Sequence, residues 1–118
     1  ALSVDGGRVL VAAGNEGLFL VDGARPDAPR LLARIRGIQF AFDAVLQGTL
    51  AYVAAGGVGL LVVDLSDPAH PRTLGVARDL GFVNGVEAGD DGRIYTLDRA
   101  GRRLLLVEPH GPAGPASR

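Results

Sequence analysis

Cysteine, methionine and tryptophan are absent from the 118 residues, and aromatics are limited to two tyrosines and four phenylalanines. Without cysteine there is no disulfide frame and no thiolate chemistry. With so few aromatics, a core has to be assembled from Val, Leu and Ala. Charge of one sign is also lacking: 12 basic residues face 13 acidic ones, for a net charge of −1. The arginines are scattered, so the concentrated positive footprint of a nucleic-acid binder is missing, and no nucleic-acid partner is expected. No charged-then-apolar leader stands at Ala1; the expectation is that a signal peptide has been removed or that these residues are a piece of something longer.

What is abundant is glycine, 18 residues, with seven prolines, spread at regular places among apolar runs. That distribution suits short strands joined by tight turns. The 20 residues between Asp43 and Asp64 carry no charge, which is the length of a membrane span. They include four glycines, Gln47 and Thr49, and their counterparts one repeat earlier and later are charged. The window is read as two buried strands, with no membrane span.

The repeat is internal. At a shift of 42 residues Val11, Ala12, Ala13, Gly14, Gly17, Leu18, Val21, Asp22, Pro26, Pro29, Arg30 and Leu32 all meet an identical residue. A first unit covers 1–39, a second 40–82, and a looser third 83–109, with a Gly/Pro-rich tail over 110–118. Each complete unit holds four short runs. In the second they are AFDAVLQG, Leu50–Ala55, Leu60–Leu65 and Arg72–Arg78. The third unit stops after three, at Leu104–Val107. Units of about 40–45 residues with four strands each are propeller blades. The fold class predicted is all-β, a β-propeller segment of about three four-stranded antiparallel blades, the third incomplete. In Leu50–Ala55 both alternating sets are apolar, as in a sheet covered on both faces. Arginines on the fourth runs protect an outer edge. A short helix is the alternative for RLLARIR.

The stretch YVAAGGVGLLVVDLSDPAHPRTLG resembles the LVIVD repeat. The likeness rests on Tyr52, Val53, Ala54, Gly59, Leu60, Val62, Val63, Asp64, Ser66, Asp67, Pro68 and Pro71. The first unit keeps Gly17, Leu18, Val21, Asp22, Pro26 and Pro29, with Ala24-Arg25 in place of Ser-Asp. The third lacks the Ser-Asp-Pro corner, and its DDGRIYTLDRAGRRLLLVE is also similar to NHL-type propeller repeats. The resemblance implies a propeller of exported or cell-surface proteins, mostly without assigned chemistry.

Three motifs have competing readings. Gly57-Val58-Gly59 looks like the start of a dinucleotide fingerprint, but a Val-rich run follows where that motif needs a helix, so it is read as a hairpin turn. Ser66, Asp67 and His70 carry the letters of a hydrolase triad on one turn, whereas a triad converges from separate elements; Asp67-Pro68 is read as the start of a type I turn. Asp22, Asp64 and Glu108 close the third run of each unit and are read as structural acceptors for turn amides, together with the corner prolines Pro26, Pro29, Pro68 and Pro71. Asp90-Asp91 lack calcium-loop spacing and are read as solvated, and His110 has no nameable partner. No catalytic residue, metal or cofactor is assigned.

In a propeller, the loops joining second to third strands and one blade to the next share a face, and binding residues collect on such loops. Those positions are Asn15, Glu16, Gln39, Phe40, Asp43, Asp79, Phe82, Asn84, Asp98 and Arg99. Phe40 and Phe82 are equivalent at the shift, as packing anchors or as a repeated contact. The leading function is a non-catalytic segment that binds a protein or a surface ligand. A propeller enzyme of the lactonase or hydrolase kind, with metal at Asp43, Asn84 and Asp98, is the alternative. A third reading is a scaffold within a longer chain. The partners expected are the remaining blades of a larger propeller, or self-association.

Overall fold

The computed structural model describes residues 1–78 and 80–98, and the backbone of 103–107. Among the described residues eleven strands form, in the order β1 (Leu2–Asp5), β2 (Arg8–Ala12), β3 (Leu18–Asp22), β4 (Arg30–Ile35), β5 (Asp43–Gln47), β6 (Leu50–Ala54), β7 (Leu60–Asp64), β8 (Arg72–Ala77), β9 (Gly85–Ala88), β10 (Ile94–Asp98) and β11 (Arg103–Val107). They make three antiparallel sheets, β1-β2-β3-β4, β5-β6-β7-β8 and β9-β10-β11, each a meander in chain order. RLLARIR is a strand, not a helix. The uncharged window holds three strands instead of two, because Asp43–Gln47 also pairs, as the innermost strand of its blade.

The first two sheets share one register. Val11 pairs with Leu2 and Phe19; Val53 pairs with Ala44 and Leu61, each 42 positions on. Both sheets carry a bulge at one place. Pairing steps from Leu20–Ala33 to Val21–Leu31, and from Val62–Gly75 to Val63–Thr73, so Leu32 and Leu74 have no direct partner. A bulge turns the extra side chain out of the ladder. Here Leu32 packs on the core between the first and second sheets, and Leu74 on the core between the second and third.

The turns follow from the sequence. Asp22 Oδ1 accepts from the Ala24 amide at 3.1 Å, and Asp64 Oδ1 from the Ser66 amide at 2.9 Å. The proline corners close on themselves: Ala28 N–H donates to Arg25 O at 3.0 Å and His70 N–H to Asp67 O at 2.9 Å, with Pro26 and Pro68 at the second position. Gly17 and Gly59 end the β2–β3 and β6–β7 turns at φ of +86° and +107°. A side chain at either would run into the carbonyl oxygen of Ile35 or Ala77, so only glycine fits.

The sheets stack face to face. Leu10, Leu18 and Leu20 of the first meet Ala51, Val53 and Val63 of the second. The opposite face of the second, with Tyr52, Leu60 and Val62, meets Val83, Val86 and Ile94 of the third. Between sheets, β1 lies against β5 and β5 against β9, while the outer strands β4 and β8 are not close neighbours. First strands that converge and fourth strands that fan apart are the radial arrangement of propeller blades. Among the described residues no helix is long and apolar enough to cross a membrane.

Candidate functional site

The loop face is built by two equivalent junctions. In each, the connection between blades bridges back to a glycine in the preceding hairpin turn. Gly14 exchanges backbone hydrogen bonds with Ala41 at 2.9 and 3.0 Å, and Gly56 with Val83 at 2.7 and 3.0 Å. The residues just before and after these bridges are therefore fixed over the turns. Phe40 lies on Gly14, while Phe42 and Phe82 both lie on Gly56, so close that a Cβ there would stand 2.8 Å from the Phe42 ring.

The three rings form one cluster across the junctions. Phe40 and Phe42 have centroids 4.5 Å apart, and Phe42 and Phe82 meet edge to face at 5.3 Å. All three keep between 37% and 43% of their surface open to solvent. Such pairs contribute about 0.5–1.5 kcal/mol beyond their buried area. The rings are thus packing anchors for the turns, the first of the two readings of Phe40 and Phe82, and they form a part-exposed apolar ledge. Phe42 belongs to the ledge, and the sequence reading placed it only inside the first run; the Phe40-x-Phe42 alternation was the available signal.

Beside the ledge, Asn15, Glu16, Arg34, Arg36 and Ile38 line a depression of about 280 Å³. Arg34 pairs with Glu16 at 3.5 Å and lies over the Phe19 ring at 5.1 Å. Arg34 and Arg36, read from sequence as edge protection, therefore also line the loop face. Asn15, Glu16, Gln39, Phe40 and Phe82 gather on this face.

Asp43 and Asn84 lie at the second junction, where Asp43 bonds the start of β9 and Asn84 directly follows the bridge of Val83 to Gly56. Asp43 Oδ1 accepts from the Ala44 amide at 2.9 Å and Oδ2 from the Val86 amide at 3.1 Å. Asn84 N–H donates to Leu97 O at 3.0 Å, which sets Asn84 beside the end of β10, where Asp98 stands. Asp43 acts as a latch from one innermost strand to the next blade. Two more latches, missed in the sequence, join the first junction. Ser3 Oγ accepts from the Leu46 amide and Asp5 Oδ2 from the Gly48 amide, both at 3.0 Å. All three reach 43 residues ahead, one more than the repeat.

Around Ser66, His70 Nδ1 lies 3.0 Å from Asp67 Oδ2 in full exposure. The Ser66 amide donates to Asp64 Oδ1 at 2.9 Å, and the three residues share one exposed turn instead of converging from separate elements. That bonding, led by the Ser66 amide, holds the Asp64 carboxyl below the usual carboxylate range. The His70 ring, then the Ala69 amide, does the same for Asp67. Burial pushes the Tyr52 hydroxyl up. Gly57-Val58-Gly59 is a hairpin turn, closed by Ala55 N–H to Gly59 O at 2.9 Å and continuing into β7. Asp91 caps its own turn through the Arg93 amide at 3.1 Å. Asp79, Arg99, Glu108 and His110 lie outside the described residues. Among the described residues no three of His, Cys, Asp and Glu are grouped to hold a metal.

Comparison with known families matches residues 41–77, the second blade from Ala41 to the end of β8, to the LVIVD repeat. No curated protein and no solved structure matches the chain.

Proposed function

Taking the second blade as an LVIVD repeat and the chain as a propeller-like repeat region, we propose that these residues form a non-catalytic propeller segment. It binds a protein or a surface ligand outside the cytoplasm through its loop face. The observation that carries this reading is the ledge of Phe40, Phe42 and Phe82, three part-exposed rings held in fixed geometry by two bridged turns. Exposed aromatics with little side-chain entropy left to lose are the usual anchors of a binding surface. The adjoining depression adds the amide of Asn15, the Glu16 carboxylate and two guanidinium groups, enough for a polar rim. Peptide and glycan arrays probed with the wild-type chain and with Phe42→Ser test it. A hit weakened by about tenfold in the variant supports the reading, that being the loss expected on truncating one anchor. Hits untouched by the change would refute it.

A propeller enzyme is the second reading. Its support is that Asp43 bonds β9 while the backbone of Asn84 bonds the end of β10, next to Asp98. It is the weaker one, because both Asp43 oxygens already accept backbone amides. Calorimetric titration with Ca²⁺ and Zn²⁺ decides it: stoichiometric binding lost in Asp98→Asn would favour the enzyme.

A further inference from the structure

One short pattern, an arginine four residues before a phenylalanine, stands at both junctions: Arg36 before Phe40, and Arg78 before Phe82, 42 positions on. Each arginine directly follows the last residue of an outermost strand, Ile35 of β4 or Ala77 of β8. Both therefore stand beyond the strand edge that cationic residues protect. Both instead stand over a hairpin turn of the loop face. The Cα atoms of Arg36 and Arg78 would be 3.8 and 3.3 Å from a Cβ placed on Gly17 and Gly59. Both residues are exposed. Arg78 is exposed although its blade is packed on either side, so this exposure does not come from an open blade face.

Other charges beside the ledge are engaged. Glu16 pairs with Arg34 at 3.5 Å, and both Asp43 oxygens accept backbone amides, from Ala44 and Val86. Arg36 and Arg78 hold no hydrogen bond or ion pair among the described residues. Two guanidinium groups at equivalent places thus flank the rings without bracing the fold. Among the described residues, the uncommitted charge at the ledge is positive.

We infer that the loop face takes an acidic peptide segment in which carboxylates flank apolar side chains. The carboxylates pair with Arg36 and Arg78, and the apolar side chains cover the rings of Phe40, Phe42 and Phe82. The inference rests on the loop-face reading above and names its partner. A guanidinium matches a carboxylate with two parallel hydrogen bonds. Asn15 and Gln39, both exposed, each offer an amide donor and an amide acceptor, the complement of a peptide main chain. An acidic glycan would satisfy the guanidinium groups but brings no aliphatic or aromatic side chain to the ledge. A nucleic acid would meet two arginines on a chain of net charge −1, too little positive charge to hold its backbone.

Arrays of short random-sequence peptides and of heparin fragments, probed with the wild-type chain and its variants, test this. Peptide hits lost in Phe42→Ser should be enriched in Asp and Glu beside apolar residues. Arg36→Ser and Arg78→Ser should each weaken them by about tenfold, the loss expected on removing one charge-assisted pair. Arg25→Ser, at the proline corner far from the hairpin turns, should leave them unchanged, and circular dichroism should show the strand signal in every variant. Phe42-dependent hits without acidic residues, or acidic hits that survive both loop-face arginine changes, would overturn this inference and leave the loop-face reading standing. An equal loss in Arg25→Ser would overturn it too, by showing that net charge alone drives binding. Heparin bound through Arg36 without peptide hits would identify an anionic glycan in place of the peptide. No Phe42-dependent hit on either array would overturn the loop-face reading itself, and this inference with it.

Discussion

Asp64 shows how one repeated residue serves the fold. Its carboxylate accepts from the Ser66 amide, then the Ser66 hydroxyl, and lies 3.6 Å from Arg72. These interactions favour the charged form, so the folded-state value lies below that of the unfolded chain. The stabilisation is complete above the ordinary carboxylate value of about 3.9 and disappears as pH falls through the folded value. Asp67, held down by His70, adds to the same acid limb. Asp64→Asn should therefore unfold at a lower temperature at pH 7 and lose less stability between about pH 4 and pH 2. Thermal unfolding across that range measures both, and an acid limb as steep as the wild type's would show that Asp64 carries none of it. The neighbouring Ser66 donates to Asp64, away from His70. Ser66→Ala should then leave any ester hydrolysis unchanged while lowering the unfolding midpoint slightly, and a large drop in turnover of a folded variant would contradict this assignment.

At the scale of elements, the sequence made the strands, the glycine hairpins and the proline corners legible because each is written twice at one spacing. Asp22 and Asp64, each closing a third strand, accept the turn amides of Ala24 and Ser66. The bulge at Leu32 and Leu74 was not legible. It occurs in both units, so the repeat stays in step and the alternation of RLLARI and RTLGVA hides the skipped pair. The latches from Ser3, Asp5 and Asp43 escaped for a related reason: they connect positions one residue out of step with the repeat, and the three acceptors do not occupy one repeat position. The Phe42 side of the ledge needed the bridge between Gly56 and Val83, a contact that no local pattern encodes. Two glycines of one hairpin separate conformation from composition. Gly59→Ala should cost about 2–3 kcal/mol, since φ there is +107° and the Ala77 carbonyl blocks a Cβ. Gly57→Ala meets open space without a positive φ and should be neutral or stabilising by up to about 1 kcal/mol. Urea unfolding of both variants checks the contrast, and equal effects would mean that the turn relaxes freely. Pro68→Ala should cost up to about 1 kcal/mol through the unfolded chain, read from the same midpoints.

Across the described residues, the second blade is the one packed on both faces, against the first and the third. Its strands β6 and β7 are buried along nearly their full length, while β1 is mostly exposed. Stability in a repeat array is close to a sum of unit and interface terms, so the doubly covered unit opens last. Two residues at the same repeat position measure the interface term. Leu46 on β5 is packed between blades, and Val4 on β1 is open. Leu46→Ala removes buried methyl groups that the neighbouring blade cannot refill, and should cost about 2–5 kcal/mol. Val4→Ala should stay within about 0.5 kcal/mol, as at other surface sites. Native-state hydrogen exchange carries the same contrast residue by residue. Amides of β6 and β7 should exchange only through global opening, and those of β1 should exchange at much lower cost. Equal protection of β1 and β6 would mean that the first blade is stabilised without a cover, and that adjacent blades contribute little to one another.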